Sequence, residues 1–324
     1  MPMNNIPQFS VVVPLFNKRA YIRRTIDSIL AQSLTDFELI VVDDGSTDGS
    51  LDALADVQDS RIKIIQQANQ GVGPARNTGM AVARAPWIAF IDADDAWLPD
   101  HLAELSRVAQ AFPEAGLIST ANVEAHGKNL PQTSDQQWPA GIGLVDYFLE
   151  ASKRIGFINS SSSAVRRTVF TSLGGFNSRL AGEDLEYWAR VALHHAVAAS
   201  SRTTSVYFRD TGGVMTQLEA VHRSGPAQPI EHLSQLSSSV ATLLAHAKQD
   251  PSVLKKASVI AYINSRIKAG IKGALHRGDV LYARQLMKHF MRPFGFVELS
   301  YGIFTKASGP LILFLISIKK RVKS

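Results

Sequence analysis

Short apolar runs alternate with amphipathic stretches over the first 120 residues of the chain. Ser10–Leu15, Phe37–Val42 and Trp87–Ile91 are rich in β-branched and aromatic residues and lack polar alternation, which predicts strands covered on both faces. Arg61–Ile65 predicts a shorter strand. Between these runs, Tyr21–Gln32 places Ile22, Ile26, Ile29 and Leu30 on one helical face. Ser46–Val57 predicts a capped helix with Leu51 and Leu54 facing inward, and Gly73–Ala85 predicts another. Pro99–Phe112 opens on a proline, whose missing N–H is harmless in a first helical turn. Strand–helix alternation of this kind predicts a mainly parallel sheet flanked by helices.

The pattern then changes twice. Asn122–Ala140 is polar and turn-rich, which predicts a long surface loop. Order returns over residues 155–200 as a Ser-rich strand, a short helix, a Gly174-Gly175 turn and a helix over Glu183–His195, with a strand at Ser205–Tyr207. Beyond about residue 226 the periodicity is helical throughout, over Ile230–Lys248, Val253–His276 and Asp279–Phe290. The expected organisation is an α/β domain over residues 1–225 and a helical C-terminal region over 226–324.

Charge sharpens that division. The net charge of +6 conceals an acidic front and a basic back, because residues 255–324 hold 14 Lys and Arg against Asp279 and Glu298. Hydrophobic content of 45% with 19% charged residues describes a folded chain. There is no cysteine, which excludes disulfides, thiolate zinc sites and cysteine nucleophiles and fits a reducing cytosol. Met1–Ser10 lacks the order of a secretory signal, and no apolar stretch reaches the roughly 18 residues of a spanning helix. The tail, Gly309–Ile318 followed by Lys319, Lys320, Arg321 and Lys323, has two readings. It lies in one interface of an anionic membrane, or it docks on the protein core. The charge sits on helices with few interleaved aromatics, so nucleic acid is not an expected partner.

Candidate chemistry gathers where predicted strands end. The run Trp87–Ile91 stops at Asp92-Ala93-Asp94-Asp95. In open α/β sheets the carboxyl rim of the strands is where ligands bind. Clustered carboxylates repel unless a cation joins them, and oxygen donors suit Mg²⁺ or Mn²⁺ shared with substrate phosphates. At the end of the first strand, Pro14-Leu15-Phe16-Asn17 offers a proline that stops sheet pairing and a flat ring for a base. Asp43-Asp44-Gly45-Ser46 ends the second, where a carboxylate can accept a pyrimidine imide or ribose hydroxyl; an ordinary helix cap is the alternative. Gly71-Val72-Gly73-Pro74-Ala75-Arg76-Asn77-Thr78-Gly79 combines small residues with an arginine suited to phosphate. It lacks both the Walker ending and the third glycine of a dinucleotide fingerprint. Asn77 and Gly79 are also explained by helix packing.

In order and spacing these segments resemble the family-2 inverting glycosyltransferases over roughly residues 8–215. Gly174-Gly175-Phe176-Asn177 and Gly182-Glu183-Asp184 resemble that family's later elements. The resemblance implies a GT-A fold, a Rossmann-like mixed sheet flanked by helices, with a helical extension behind it. It implies a nucleotide-diphosphate sugar, most simply a UDP-sugar, bound by Pro14, Phe16, Asn17, Asp43, Asp44, Arg76, Asp92 and Ala93. Within that set, Phe16 and Asp44 or Asp43 meet the base, Arg76 the base or phosphate, and Asp92 the ribose. By the same resemblance, Asp94 would hold Mn²⁺ or Mg²⁺. The resemblance makes Asp184 the expected general base and Glu183 its neighbour beside the acceptor, a hydroxyl of a glycan or lipid-linked precursor. One departure stands out: after Tyr207-Phe208-Arg209 the family often has a metal-binding histidine, and here the residue is Asp210. Asp210, or His222 from further on, is the expected replacement. His194 and His195 are expected to be helix C-terminal residues rather than ligands. The basic back is expected to hold a cytoplasmic enzyme at the cytosolic face of a membrane. A sugar nucleotidyltransferase would need a Gly-rich basic N-terminal signature that Asn17-Lys18-Arg19 does not supply. A non-catalytic sugar-nucleotide-binding subunit would be expected to lack Asp94 or Asp184.

Overall fold

A computed structural model describes residues 6–127, 141–178, 182–209, 211 and 230–291. The chain divides into two compact units, residues 1–147 with 156–214, and residues 148–155 with 215–324. The elements run β1 (Phe9–Leu15), α1 (Ile22–Leu30), β2 (Phe37–Asp43), β3 (Ile62–Gln66), α2 (Val72–Val82), β4 (Trp87–Phe90), β5 (Ala96–Trp97) and α3 (His101–Ala111). They continue with β6 (Ala115–Ala125), β7 (Ile142–Val145), α4 (Tyr147–Lys153), β8 (Ser163–Arg166), α5 (Arg167–Leu173), α6 (Glu183–His194) and β9 (Ala196–Phe208). The second unit adds α7 (Ser238–Ala247), α8 (Ala257–His276) and α9 (Val280–Met287).

The first unit is built on a nine-stranded mixed sheet in the order β3-β2-β1-β4-β8-β6-β9-β5, with β7 paired to β9. β3, β2, β1 and β4 are parallel; the apolar runs of β1, β2 and β4 fit strands covered on both faces, whereas β3, at the sheet edge, carries Lys63 and is partly exposed. Val11, Val13, Leu39, Val41, Ala89 and Ile91 are buried with Ile22, Ile26 and Ile29 of α1 in one core. β8 then enters antiparallel between β4 and β6.

Three expectations change. Ser46–Val57 forms bends and a single 3₁₀ turn at Asp52–Leu54 rather than an α-helix. Gly49 sits at φ 80, and the Asp48 carboxylate takes the Ser50 N–H at 2.9 Å, so local polar bonds displace helical ones. Leu54 is still buried. The polar stretch from Asn122 begins as strand, because β6 runs to Ala125; residues 128–140 lie outside those described. β6, and β9 apart from its predicted Ser205–Tyr207 end, escape an apolar-run reading because their interiors are polar and bonded within the fold. Ser119 donates to the Ser162 carbonyl at 2.9 Å, and Thr204 pairs with His101 Nδ1 at 2.8 Å. Pro14 also acts differently on its two sides. Pairing with β4 ends at Val12–Phe90, while pairing with β2 continues to Leu15–Asp43.

In the second unit, Ser237 caps α7 through the Val240 N–H and Asp279 caps α9 through the Tyr282 N–H. Val240, Leu243, Ile263, Ile267, Ile271 and Leu286 are buried. Residues 148–155 belong to this unit through Phe148, whose ring meets Tyr262 edge-on at 5.6 Å, and through Arg266, which donates to the Ala151 carbonyl. No helix among the described residues is long and apolar enough to cross a membrane. The tail beyond Met291 lies outside them.

Candidate active site

Sheet register brings the candidate residues to one rim. Leu15 is opposite Asp43 and Val12 opposite Phe90, so β1, β2 and β4 end along one rim. Because β8 is antiparallel to β4, with Ala89 opposite Ala164, the 3₁₀ turn Ser160–Ser162 arrives at the same rim.

The β1 and β2 ends form one wall. Asn17, at φ 51, accepts the Thr47 N–H at 2.8 Å and donates its own to Ser46 Oγ. Phe16 beside it is 45% exposed, an apolar ring held at a polar rim. Asp43 and Asp44 are both buried. Asp44 accepts from Gln67 Nε2 at 2.7 Å and from the Gln70 and Gly71 N–H groups at 2.9 and 2.8 Å. A carboxylate has about four acceptor positions, so Asp44 is nearly filled and serves as the clamp of the 67–71 loop. Asp43 takes one bond, from the Ser46 N–H at 3.1 Å, and keeps more capacity for a ligand.

The acidic loop after β4 is pinned from three sides. Asp95 is buried, donated to by Ser161 Oγ and by the Phe208 N–H at 2.9 Å. Burial, with Asp94 and Asp92 alongside, holds its carboxyl well above the usual range. Thr25 of α1 donates to the Asp95 carbonyl at 2.7 Å. The Ser161 carbonyl receives Trp97 Nε1 at 2.6 Å and Ser205 Oγ at 2.7 Å, and Ser161 Oγ takes the Asp92 N–H. Ser161 is a residue that sequence reasoning missed; the Ser160–Ser163 run read only as a strand. Asp95 therefore shapes the loop, while Asp92 and Asp94 remain at its edge. Ala93, between them, is buried and contributes backbone.

Arg76 joins this loop to the distant Glu183-Asp184 pair. It is 2% exposed, and its guanidinium donates to Asp92 Oδ1 at 2.6 Å and to Glu183 Oε1 at 2.7 Å. Burial works against its charge, but the two carboxylates outweigh it and its pKa lies above the ordinary value. Asp184, in the first turn of α6, is pushed up to about 7 by burial and then by Glu183, against the pull of Arg76 and the Leu185 N–H. Glycines set the spacing. A Cβ on Gly73 would collide with the Asn177 carbonyl, and one on Gly175 with the Asn77 side chain. Asn77 instead bonds Phe176 twice, donating to its carbonyl and accepting its N–H, both at 2.8 Å. The Gly79 face lies against Val12 of β1. Phe176 then packs on Phe90, Tyr187 and Trp188, which seats α6. Asp210 and His222 lie outside the described residues.

Residues 10–174 match the family described as Glycosyl transferase family 2. The chain belongs to that family. An uncharacterized glycosyltransferase of Nostoc sp. is 36% identical over 166 residues, half of this chain and 52% of the relative. Chondroitin synthase of Escherichia coli is 37% identical over 186 residues, 53% of this chain and 27% of the relative. The chain thus spans about half the length, or less, of these curated relatives. Among solved structures, S. aureus TarS in complex with UDP-GlcNAc aligns with a TM-score of 0.57 at 18% identity, covering 86% of this chain and 88% of that one. Mannosyltransferase PcManGT from Pyrobaculum calidifontis, in complex with GDP-Man and Mn²⁺, gives 0.57 at 18% identity, covering 98% and 87%. The mixed sheet and its flanking helices share the fold of these GT-A transferases.

The donor atoms meet one test for a divalent ion. Among the described residues no three His, Cys, Asp or Glu side chains gather into a cage. Mg²⁺ and Mn²⁺, however, are often held by one or two carboxylates completed by substrate phosphates. Asp94 and Asp92 both press on the Asp95 carboxyl, a crowding of acids that a shared cation relieves. Asp94, only partly buried and bonded through one oxygen, fits a cation shared with a diphosphate better than Asp95, which is fully buried.

Proposed function

We propose that the chain transfers a sugar from a nucleotide-diphosphate donor to an acceptor hydroxyl by single displacement with inversion. One observation supports this reading: the Asp92–Arg76–Glu183 bridge ties the neighbour of Asp184 to the acidic rim, some ninety residues away in sequence, and Asp184 feels the Asp92 charge. In this account the base stacks on Phe16, and Asp43, with more open acceptor capacity than Asp44, takes the imide or ribose. Pro14 and Asn17 shape that wall. Asp92 and the Ala93 backbone face the ribose and diphosphate. Arg76 acts mainly by holding Asp92 and Glu183 at fixed separation. Asp94 would hold Mn²⁺ or Mg²⁺, with Asp210 as a further ligand, and the ion would supply charge neutralisation at the departing diphosphate. Asp184 removes the acceptor proton as the oxygen attacks, and Glu183 orients that hydroxyl.

UDP is the preferred nucleotide, supported by the UDP-GlcNAc complex of the fold neighbour TarS. A role in cell-surface polysaccharide synthesis is supported by relatives named for teichuronic acid and succinoglycan biosynthesis. The basic region after residue 226 would place the enzyme peripherally at the cytosolic face of a membrane, where lipid-linked acceptors are presented. The test is a panel of nucleotide sugars with Mn²⁺ or Mg²⁺, read as released nucleotide. Release from one UDP-sugar, enhanced by the cation, is expected; no release from any donor with any offered acceptor would contradict the reading.

A further inference from the structure

Asp94 already has a cation on it. Lys18 Nζ lies 2.6 Å from Asp94 Oδ2, with both side chains largely shielded, at 15% and 13% exposure. The same ammonium donates to the Thr211 carbonyl at 3.2 Å, and Thr211 Oγ1 donates to the same Asp94 oxygen at 2.6 Å. Lys18 is not a loose surface side chain. Its backbone N–H is fixed to Ser50 Oγ at 2.8 Å, and its ammonium is 5.7 Å from the Tyr21 ring centre. One oxygen of the carboxylate proposed to bind the divalent ion is therefore engaged twice, by an ammonium and by a hydroxyl.

We infer that Lys18 is the resident counter-cation of Asp94, which a divalent ion must displace. The inference rests on the reading of Asp94 as a metal ligand. Its physical content is an exchange. With a divalent ion held by Asp94, the ammonium would lose its anionic partner in a partly desolvated place, and an unpaired charge there is costly. A nucleotide diphosphate arriving with the ion supplies a new anionic partner within reach of the same lysine. Divalent ion and nucleotide thus bind as a coupled pair, each strengthening the other, and without nucleotide the ion binds weakly. Coupling of this origin belongs to Lys18, not to the acidic loop itself.

The experiment is a Mn²⁺ titration followed by electron paramagnetic resonance, without and with UDP, on the wild type, Lys18→Met, Arg24→Gln and Asp94→Asn. Arg24 donates to the Asp94 carbonyl, so Arg24→Gln removes a nearby positive charge while leaving the ammonium on Asp94. Circular dichroism confirms that each variant is folded. Lys18→Met is expected to bind nucleotide-free Mn²⁺ about ten-fold more tightly and to lose most of the gain that UDP gives the wild type. Arg24→Gln should keep that gain. Equal or weaker nucleotide-free Mn²⁺ binding by Lys18→Met overturns the inference, as does an equal loss of coupling in Arg24→Gln. Unaltered Mn²⁺ binding by Asp94→Asn, or none by any form, overturns the metal reading itself and this inference with it.

Discussion

Asp184→Asn is expected to lower the transfer rate by at least about a thousand-fold while leaving UDP affinity within a few-fold. General-base catalysis alone is worth about 10²–10⁴-fold, and the carboxylate next to Asp184 is already engaged. Glu183 is committed to Arg76 at 2.7 Å. Asparagine keeps the size of the side chain, so the seat of α6 on Phe176 should be undisturbed. The substitution also has a stability signature with a definite sign. Asp184 is raised in the fold, so the folded protein holds its proton longer than the unfolded chain as pH rises. That contribution to stability is complete below the ordinary carboxylate range and is lost as pH climbs through about 7. Asp184→Asn should therefore melt at a higher temperature than the wild type at pH 8, and the difference should shrink at pH 5. Wild-type turnover by the variant would remove Asp184 from the chemistry.

Arg76→Met is the second large effect, and it acts on the fold first. Methionine fills much of the arginine's volume but leaves Asp92 and Glu183 facing each other without the cation between them. Removing one partner from a buried ion pair typically costs about 3–5 kcal/mol. Since Asp92 keeps some exposure, about 3 kcal/mol in urea unfolding at pH 7 is the expected loss. Arg76→Lys should recover part of that loss but little activity, because an ammonium cannot span both carboxylates as the planar fork does. A Met variant as stable as the wild type would contradict the bridge.

Much of the frame was legible because apolar runs mark strands buried on both faces. Ser10–Leu15, Phe37–Val42 and Trp87–Ile91 coincide with β1, β2 and β4 to within a residue or two. The rim then followed, since parallel strands end on one side. What escaped were elements whose interiors are polar. β6 and most of β9, of which only Ser205–Tyr207 reads as strand, carry buried Ser119 and Thr204, whose partners Ser162 and His101 are distant in sequence, so no local pattern announces them. The Ser46–Val57 segment reads as a helix from its leucines, but Asp48 and Gly49 favour turns. The same limit applies to the site. Acidic residues at strand ends are visible in the sequence, whereas the division of labour among them is not. Arg76 reads as a phosphate arm and is found locked between two carboxylates; Asp44 reads as a base reader and is found clamping a loop. Lys18, assigned no contact in the sequence, lies on Asp94. Each of these depends on pairs of side chains brought together by tertiary structure.

The central claim is that Asp184, held beside the acidic rim, is a base tuned to neutral pH by burial. The direct test is the pH dependence of kcat/KM for the wild type between pH 5 and 9, once the donor is known. An ascending limb with its midpoint near 7 is predicted from the raised carboxyl. A profile flat across that range, with the carboxylate already ionised at pH 5, would contradict it.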